Sequence, residues 1–228
     1  MKVQLHSITP NIEETIVEIA RVSSSRLDKT TNPSKLIKYL IDHLHWSPFE
    51  MGHMTFEIET SKAIAIQLLR HRSCSFQEFS QRYQDIHVID NDIFEPIEIR
   101  RQAESNRQSS DEVFDPIIKY IYKGYKAEDG HYEDVPVTAS DEIDAFLASA
   151  ESLYNELIKI GVAKEVARMV LPMCTKTKLY MTGSVRSWIH IIQIRDDVHA
   201  QKEIQLIAQE IKGIFKQNLP NISQALNW

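Results

Sequence analysis

The stretch Ala63–Tyr83, AIAIQLLRHRSCSFQEFSQRY, joins two opposite kinds of chemistry. Its first part, Ala63 to Leu69, is apolar apart from Gln67 and predicts a buried helix. Its second part sets Arg70, His71, Arg72 and Arg82 against a single acid, Glu78, in a chain of net charge −6. A cationic block in an acidic protein needs a local cause, and phosphate binding is the commonest. Cations at a helix end also favour its negative pole. A solvated charged face would alternate in sign and lack the apolar lead-in. The block therefore reads as guanidinium groups that a core helix carries into a pocket.

Outward from this stretch, helix signals outnumber strand signals. Met1 to Pro10, with Val3, Leu5 and Ile8 alternating, predicts a first strand and not a signal peptide. Asn11 with Glu14 resembles a capping box ahead of Ile12, Ile16, Val17, Ile19 and Ala20 at helical spacing. Ser34 to His45 predicts an amphipathic helix closed by Pro48, and His53 to Glu59 a half-buried strand with Met54, Phe56 and Ile58 on one face. Ser140 is expected to cap a helix that ends near Gly161, and further helices are expected over Lys164–Val170, Ser184 to about Ile194, and Ala200–Gln217. The segment at about 100–140 is polar and mixed, with Lys126–Ala139 expected as a surface loop. With no repeat and no linker, residues 1–228 are expected to form a single α+β domain, a small antiparallel sheet packed with several helices.

Composition sets the class. A chain of 228 residues can bury roughly 70% of its unfolded surface, and 43% hydrophobic with 25% charged residues is ordinary for a globular enzyme. No apolar run approaches the ~20 residues of a membrane span. Cys74 and Cys174 form neither a disulfide framework nor a zinc pattern, which makes a reducing cytoplasm the expected location. The nine histidines carry no HExxH spacing, so no metal is expected. The acidic balance argues against nucleic acid as the main partner. Trp46, Trp188 and Trp228 sit among apolar residues and read as core.

The motif Arg70-His71-Arg72-x-x-Ser75, continued by Glu78, Ser80, Arg82 and Tyr83, resembles the RHRxxS signature of the flavin-dependent thymidylate synthases. Eight specified positions match in order across fourteen residues. Gln77 stands where Asn is usual, and Gln81 where Gly is common. Arg21-Val22-Ser23, Ser47-Pro48-Phe49-Glu50, Glu165 through Pro172, and Arg186-Ser187 through Arg195 resemble further blocks of that family in the same order.

The resemblance implies reductive methylation of dUMP to dTMP, with methylenetetrahydrofolate as carbon donor and NADPH as reductant through FAD. It implies FAD contacts at Ser47, Arg70, His71, Arg72, Glu78, Ser184, Arg186 and His190, Ser184 standing where many members have Asn. It implies dUMP contacts at Gln67, Arg70, Glu78, Phe79, Ser80, Gln81, Arg82, Arg168 and Arg195, with Arg195 the catalytic group that polarises the uracil ring. It also implies a homotetramer with active sites shared between subunits. The residues permit one check: the six glycines form no GxGxxG run, so a dinucleotide would be held by side chains and not by a Rossmann turn. Arg186 and His190, four apart, share a helix face, while Arg195 falls on the opposite side if the helix reaches it.

Two other classes compete. A helical nucleotide phosphohydrolase would also present arginines to phosphate, but it needs a carboxylate-rich magnesium site, for which only Asp196 and Asp197 are paired near the proposed residues. A non-catalytic RNA-binding protein would need a wider basic surface or exposed stacking aromatics.

Overall fold

The computed structural model describes residues 1–23, 32–104, 110–126 and 131–228. The chain divides into two compact units, Met1–Phe79 with Thr177–Trp228, and Ser80–Lys176. In chain order the first contributes β1 (Lys2–Ile8), α1 (Ile12–Ala20), α2 (Pro33–Asp42), β2 (His53–Ser61), α3 (Lys62–Leu68) and β3 (Ser75–Glu78). The second holds β4 (Arg100–Gln102), β5 (Ser110–Val113), β6 (Ile117–Lys126), β7 (His131–Thr138), α4 (Ala139–Lys159) and α5 (Lys164–Ala167). The chain then returns to the first unit through β8 (Lys176–Ser184), α6 (Val185–Arg195), α7 (Lys202–Asn218) and α8 (Pro220–Ala225). The α+β class expected from the sequence is the class observed.

The first unit is organised by a sheet of order β1-β2-β8-β3. β1 lies antiparallel to β2, from Lys2 opposite Glu59 to Ile8 opposite Met54, and β3 antiparallel to β8, from Ser75 opposite Thr182 to Glu78 opposite Leu179. Thr55 meets Thr182 at 2.9 Å, Glu57 accepts from Tyr180 at 2.5 Å, and Glu59 pairs with Lys178 at 2.8 Å, so β8 runs against β2. The alternation expected for β2 holds: Met54, Phe56 and Ile58 are buried, joined by Leu179 and Met181 of β8. Helices cover that face with Ile16 of α1, Ile37 of α2, Trp188 and Ile192 of α6, and Ile207 and Phe215 of α7. Trp188 is a core residue, as read from sequence; it crosses the Phe56 ring edge-on at 4.7 Å and donates its indole N–H to the Met54 carbonyl at 3.0 Å.

One construction occurs twice. β2 runs into Ser61, whose hydroxyl accepts from the Ile64 amide to start α3, and β8 runs into Ser184, whose hydroxyl accepts from the Ser187 amide to start α6. An N-cap oxygen of this kind satisfies one of the orphan amides of a first helical turn. Sequence reading misses the repeat because only the serines and the apolar rhythm are shared.

Several local expectations are corrected. Asn11 takes a left-handed conformation at φ 47 and its side chain caps nothing, so no box with Glu14 forms. The box on α4 belongs to Thr138 and Asp141, while Ser140 lies inside the helix and binds Asp115. β3 and β8 are strands where none was expected. The described part of the segment at about 100–140, expected as polar, mixed and partly loop, is also stranded. β7 lies within the expected loop Lys126–Ala139 and pairs antiparallel with β6 from Ile117 opposite Thr138 onward, and β4 pairs with β5. Residues 105–109 and 127–130 lie outside the described residues. Pro136 is compatible because each strand of a two-stranded ribbon is an edge.

α8 starts without a side-chain cap of its own, since Leu219 occupies that position. Glu13 of α1, only 6% exposed, supplies the acceptor, taking the Ile222 amide at 2.8 Å and the Asn221 side-chain amide at 2.7 Å. Ser34 of α2 donates to Asn221 in turn. Replacing Glu13 with Ala strands two donors, at a cost of about 2–3 kcal/mol. The expected outcome is a lower urea midpoint at unchanged m-value; an unaltered midpoint would show that α8 is held by apolar contact alone.

Candidate active site

α3 ends at Leu68, and the next residues fold into a tight turn: the Arg70 amide donates to the Gln67 carbonyl, the His71 amide to Leu68 and the Cys74 amide to His71. The turn leads straight into β3. Its seat against β8 requires Gly183, because a Cβ there would lie 2.7 Å from the Cys74 sulfur. Arg70 and Arg72 project from the turn, exposed and with no hydrogen-bond or ion-pair partner among the described residues. His71, between them, is half-buried and faces α6.

α6 brings the second set of cations. Its last residue, Arg195, is half-buried and donates from Nε to His71 Nε2 at 3.1 Å. The helix does extend through Arg195, so Arg186 and Arg195 lie about 180° apart around its axis. At the C-terminal end Asp196 binds Lys212 at 2.8 Å and Gln209 at 3.0 Å, both on α7. Burial opposes ionisation of Asp196, but those two partners outweigh it and hold its carboxyl below the usual range. The acid that sequence reading considered for magnesium is thus engaged in fixing the end of α6.

Along α6, from Arg186 through His190 to Gln193, lies a cavity of about 450 Å³ lined also by Trp46, Glu50 and Ser73. Its volume is that of a small-ligand site. Among the described residues Glu50 is the one acid on its wall; it pairs with Arg186 at 3.0 Å and accepts from the Ser184 hydroxyl at 2.5 Å. Glu50 was not singled out from sequence, although it belongs to the Ser47-Pro48-Phe49-Glu50 block. Trp46 is also corrected: it packs on Phe49 at 5.6 Å, yet it walls the cavity and is not wholly core. Ser47 is exposed at the start of the same turn.

Other expected contacts have internal partners. Ser184 is buried, and its hydroxyl serves as the cap of α6. Glu78 binds Lys62 at 2.7 Å and accepts from the Thr177 hydroxyl at 2.8 Å. Gln67 donates to Gln201 at 2.6 Å, and the Phe79 amide binds the Lys178 carbonyl at 2.8 Å. Within the second unit, the Ser80 carbonyl accepts from the amides of Tyr83 and Gln84. Arg82 approaches Glu165 at 3.7 Å, and Arg168 donates to the Glu165 carbonyl at 3.3 Å. Gln81 is buried, and its side-chain nitrogen has no hydrogen-bond partner among the described residues.

The protonation states follow from these surroundings. Burial, with Arg195 and His190 nearby, pulls the His71 imidazole down from 6.5 to about 4, so it is neutral at pH 7. Burial lowers the Arg195 guanidinium as well, though an arginine remains charged at neutral pH. Burial pushes the Cys74 thiol up to about 11, which removes it as a thiolate nucleophile. Among the described residues no group of three or more metal-binding side chains occurs, and no helix is long and apolar enough to cross a membrane.

Comparison with known proteins agrees with the signature. Residues 4–221 match the family described as thymidylate synthase complementing protein. The flavin-dependent thymidylate synthase of Synechocystis sp. is 42% identical over 216 residues, covering 95% of this chain and 90% of the relative. The probable flavin-dependent thymidylate synthase of Paramecium bursaria Chlorella virus 1 is 39% identical over 218 residues, covering 95% and 91%. The flavin-dependent thymidylate synthase of Thermosipho africanus is 35% identical over 205 residues, covering 90% and 81%.

A pH experiment follows from His71. Its lowered folded value means that the unfolded chain takes up the proton first, so stability falls as pH drops from 6.5 towards about 4, and this group adds no further loss below that. The expected outcome is a falling thermal midpoint across that window, with a shallower slope in His71→Gln; identical slopes would place the sensitivity elsewhere.

Proposed function

The chain belongs to the flavin-dependent thymidylate synthase family, and on that premise we propose that it methylates dUMP reductively to dTMP, with methylenetetrahydrofolate as carbon donor, NADPH as reductant and FAD as bound cofactor. It is an enzyme and a flavoprotein of dTMP biosynthesis. The observation that carries the assignment of residues is the meeting of Arg195 with the signature turn, Nε to His71 Nε2 at 3.1 Å. The relatives' names favour this reading over a phosphohydrolase or an RNA-binding protein.

The donor set suits a flavin dinucleotide. Among the described residues Arg70 and Arg72 are uncommitted cations and Arg186 stands on a cavity wall with Glu50 to balance it, and Trp46 offers an aromatic surface. We assign FAD to Ser47, Arg70, Arg72, Arg186 and His190, with His71 a member of the same set whose imidazole is engaged by Arg195. Glu78 and Ser184 belong to the same set, but with Lys62 and Glu50 as partners they act by shaping the turn and the helix start. Bound there, the flavin would take a hydride from NADPH and, once reduced, would supply the hydride that completes the methyl group.

The dUMP contacts are proposed as Gln67, Arg70, Glu78, Phe79, Ser80, Gln81, Arg82, Arg168 and Arg195, drawn from more than one subunit of a homotetramer. Support for several subunits comes from α6, which presents Arg186 and Arg195 on opposite sides. A guanidinium beside the pyrimidine N3 and its carbonyl stabilises the negative charge that develops as the ring becomes a carbon nucleophile. Arg195 does this without serving as a base, because it stays protonated. No thiolate adds to the ring, since burial raises both Cys74 and Cys174 above the ordinary thiol range.

The purified protein is expected to be yellow and to release tritium from C5-labelled dUMP when given NADPH and the folate. A colourless protein without turnover would overturn the proposal. Arg195→Ala is expected to lower turnover by at least about 100-fold while flavin stays bound, whereas Arg186→Ala or Arg70→Ala should lower flavin content. Flavin loss in Arg195→Ala, or full retention in Arg186→Ala, would reverse the assignment of the two faces of α6, and full retention in Arg70→Ala would remove Arg70 from the cofactor's contacts. Cys74→Ser is expected to keep its activity, and a dead Cys74→Ser enzyme would restore a thiolate mechanism.

A further inference from the structure

We propose that His71 is a positioning residue, its neutral imidazole accepting the Nε–H of Arg195 and so fixing the guanidinium that acts on the substrate. This rests on the assignment of Arg195 as the ring-polarising group, and it narrows the role of His71, whose Nε2 is committed to Arg195 and not to the cofactor.

The donor and acceptor can be assigned from chemistry alone. Arg195 Nε carries one hydrogen and no lone pair, so it can only donate. At 3.1 Å the partner atom, His71 Nε2, must present its lone pair, which puts the single imidazole proton on Nδ1. A protonated imidazole would turn two donors and two positive charges towards each other. The surroundings oppose that state: burial, Arg195 and His190 all act against protonation of His71. Those two charged or titratable groups reach it from α6, and its chain neighbours Arg70 and Arg72 are cations as well.

Both halves of the contact are anchored. The His71 amide is tied to the Leu68 carbonyl, its own carbonyl takes the Cys74 amide at 3.0 Å, and Cys74 seats against Gly183. On the other side Asp196, next to Arg195, is held by Lys212 and Gln209 of α7. An arginine on its own has a long stem and many rotamers, and ordering it costs conformational entropy. Holding Nε in advance leaves the Nη hydrogens on the far edge for a planar acceptor pair. Such preorganisation contributes where charge develops, so its loss appears in kcat more than in substrate binding.

Two variants separate positioning from simple packing. His71→Leu keeps the bulk and removes the acceptor, and His71→Gln restores an amide oxygen near the same place. His71→Leu is expected to lower kcat about 100-fold with KM for dUMP changed by less than about threefold and flavin content unaltered, and His71→Gln to recover most of the loss. Equal loss in both variants, or loss of flavin from either, would overturn the proposal. Nitrogen NMR of the wild-type protein labelled in histidine, assigned with His71→Gln, reads the tautomer without reference to activity. A proton on Nδ1 and an unprotonated Nε2 at pH 7 are expected, whereas a protonated Nε2 would refute the contact. Wild-type protein with the expected tautomer but no turnover of dUMP would sink the functional assignment and leave the contact standing.

Discussion

Met54, Phe56, Ile58, Leu179 and Met181 must all meet the same layer of helices, and that requirement fixes the register of the β1-β2-β8-β3 sheet. A slip of one residue in β8 would turn Thr182 and Tyr180 into the core and Met181 and Leu179 out of it. The register in turn places Gly183 where the Cys74 sulfur passes, and Ser184 where a helix must begin. The arginine-bearing turn and α6 are therefore located by apolar burial, although nothing apolar performs the chemistry.

The second constraint is electrostatic. Arg70, Arg72, Arg186 and Arg195 would repel one another if crowded dry, so the turn keeps Arg70 and Arg72 exposed and α6 sets Arg186 and Arg195 on opposite sides. Among the described residues only the cavity-side cation receives a carboxylate, Glu50, and the half-buried one meets a neutral imidazole instead. Glu78, the acid within the signature, is taken by Lys62 and does not neutralise the arginines beside it. The arrangement leaves positive charge available to an anionic ligand.

Within the second unit, β6 shows why a segment can read as mixed and fold as strand. Ile117, Ile118, Tyr120, Ile121 and Tyr122 have strong strand propensity, but all are exposed, so no inside–outside alternation marks the segment. β3 is hidden in the sequence for a related reason, because four residues inside a cationic motif give too short a pattern to read. β8 alternates between apolar and polar residues, but lysines, threonines and a glycine dilute the rhythm.

The sequence by itself determined the chemistry on offer: an ordered run of arginines behind an apolar helix, cysteines without a partner pattern, glycines too sparse for a dinucleotide turn, and the clean alternation of β2. These are local facts, readable because periodicity, charge and motif order do not depend on what folds against them. Only the tertiary structure decided that His71 would meet Arg195 across 124 positions of chain, that Glu50 would balance Arg186, and that Ser184 and Glu78 would be held by neighbours. Those outcomes depend on sheet register and on which residues burial strips of water, and both are properties of the packed chain.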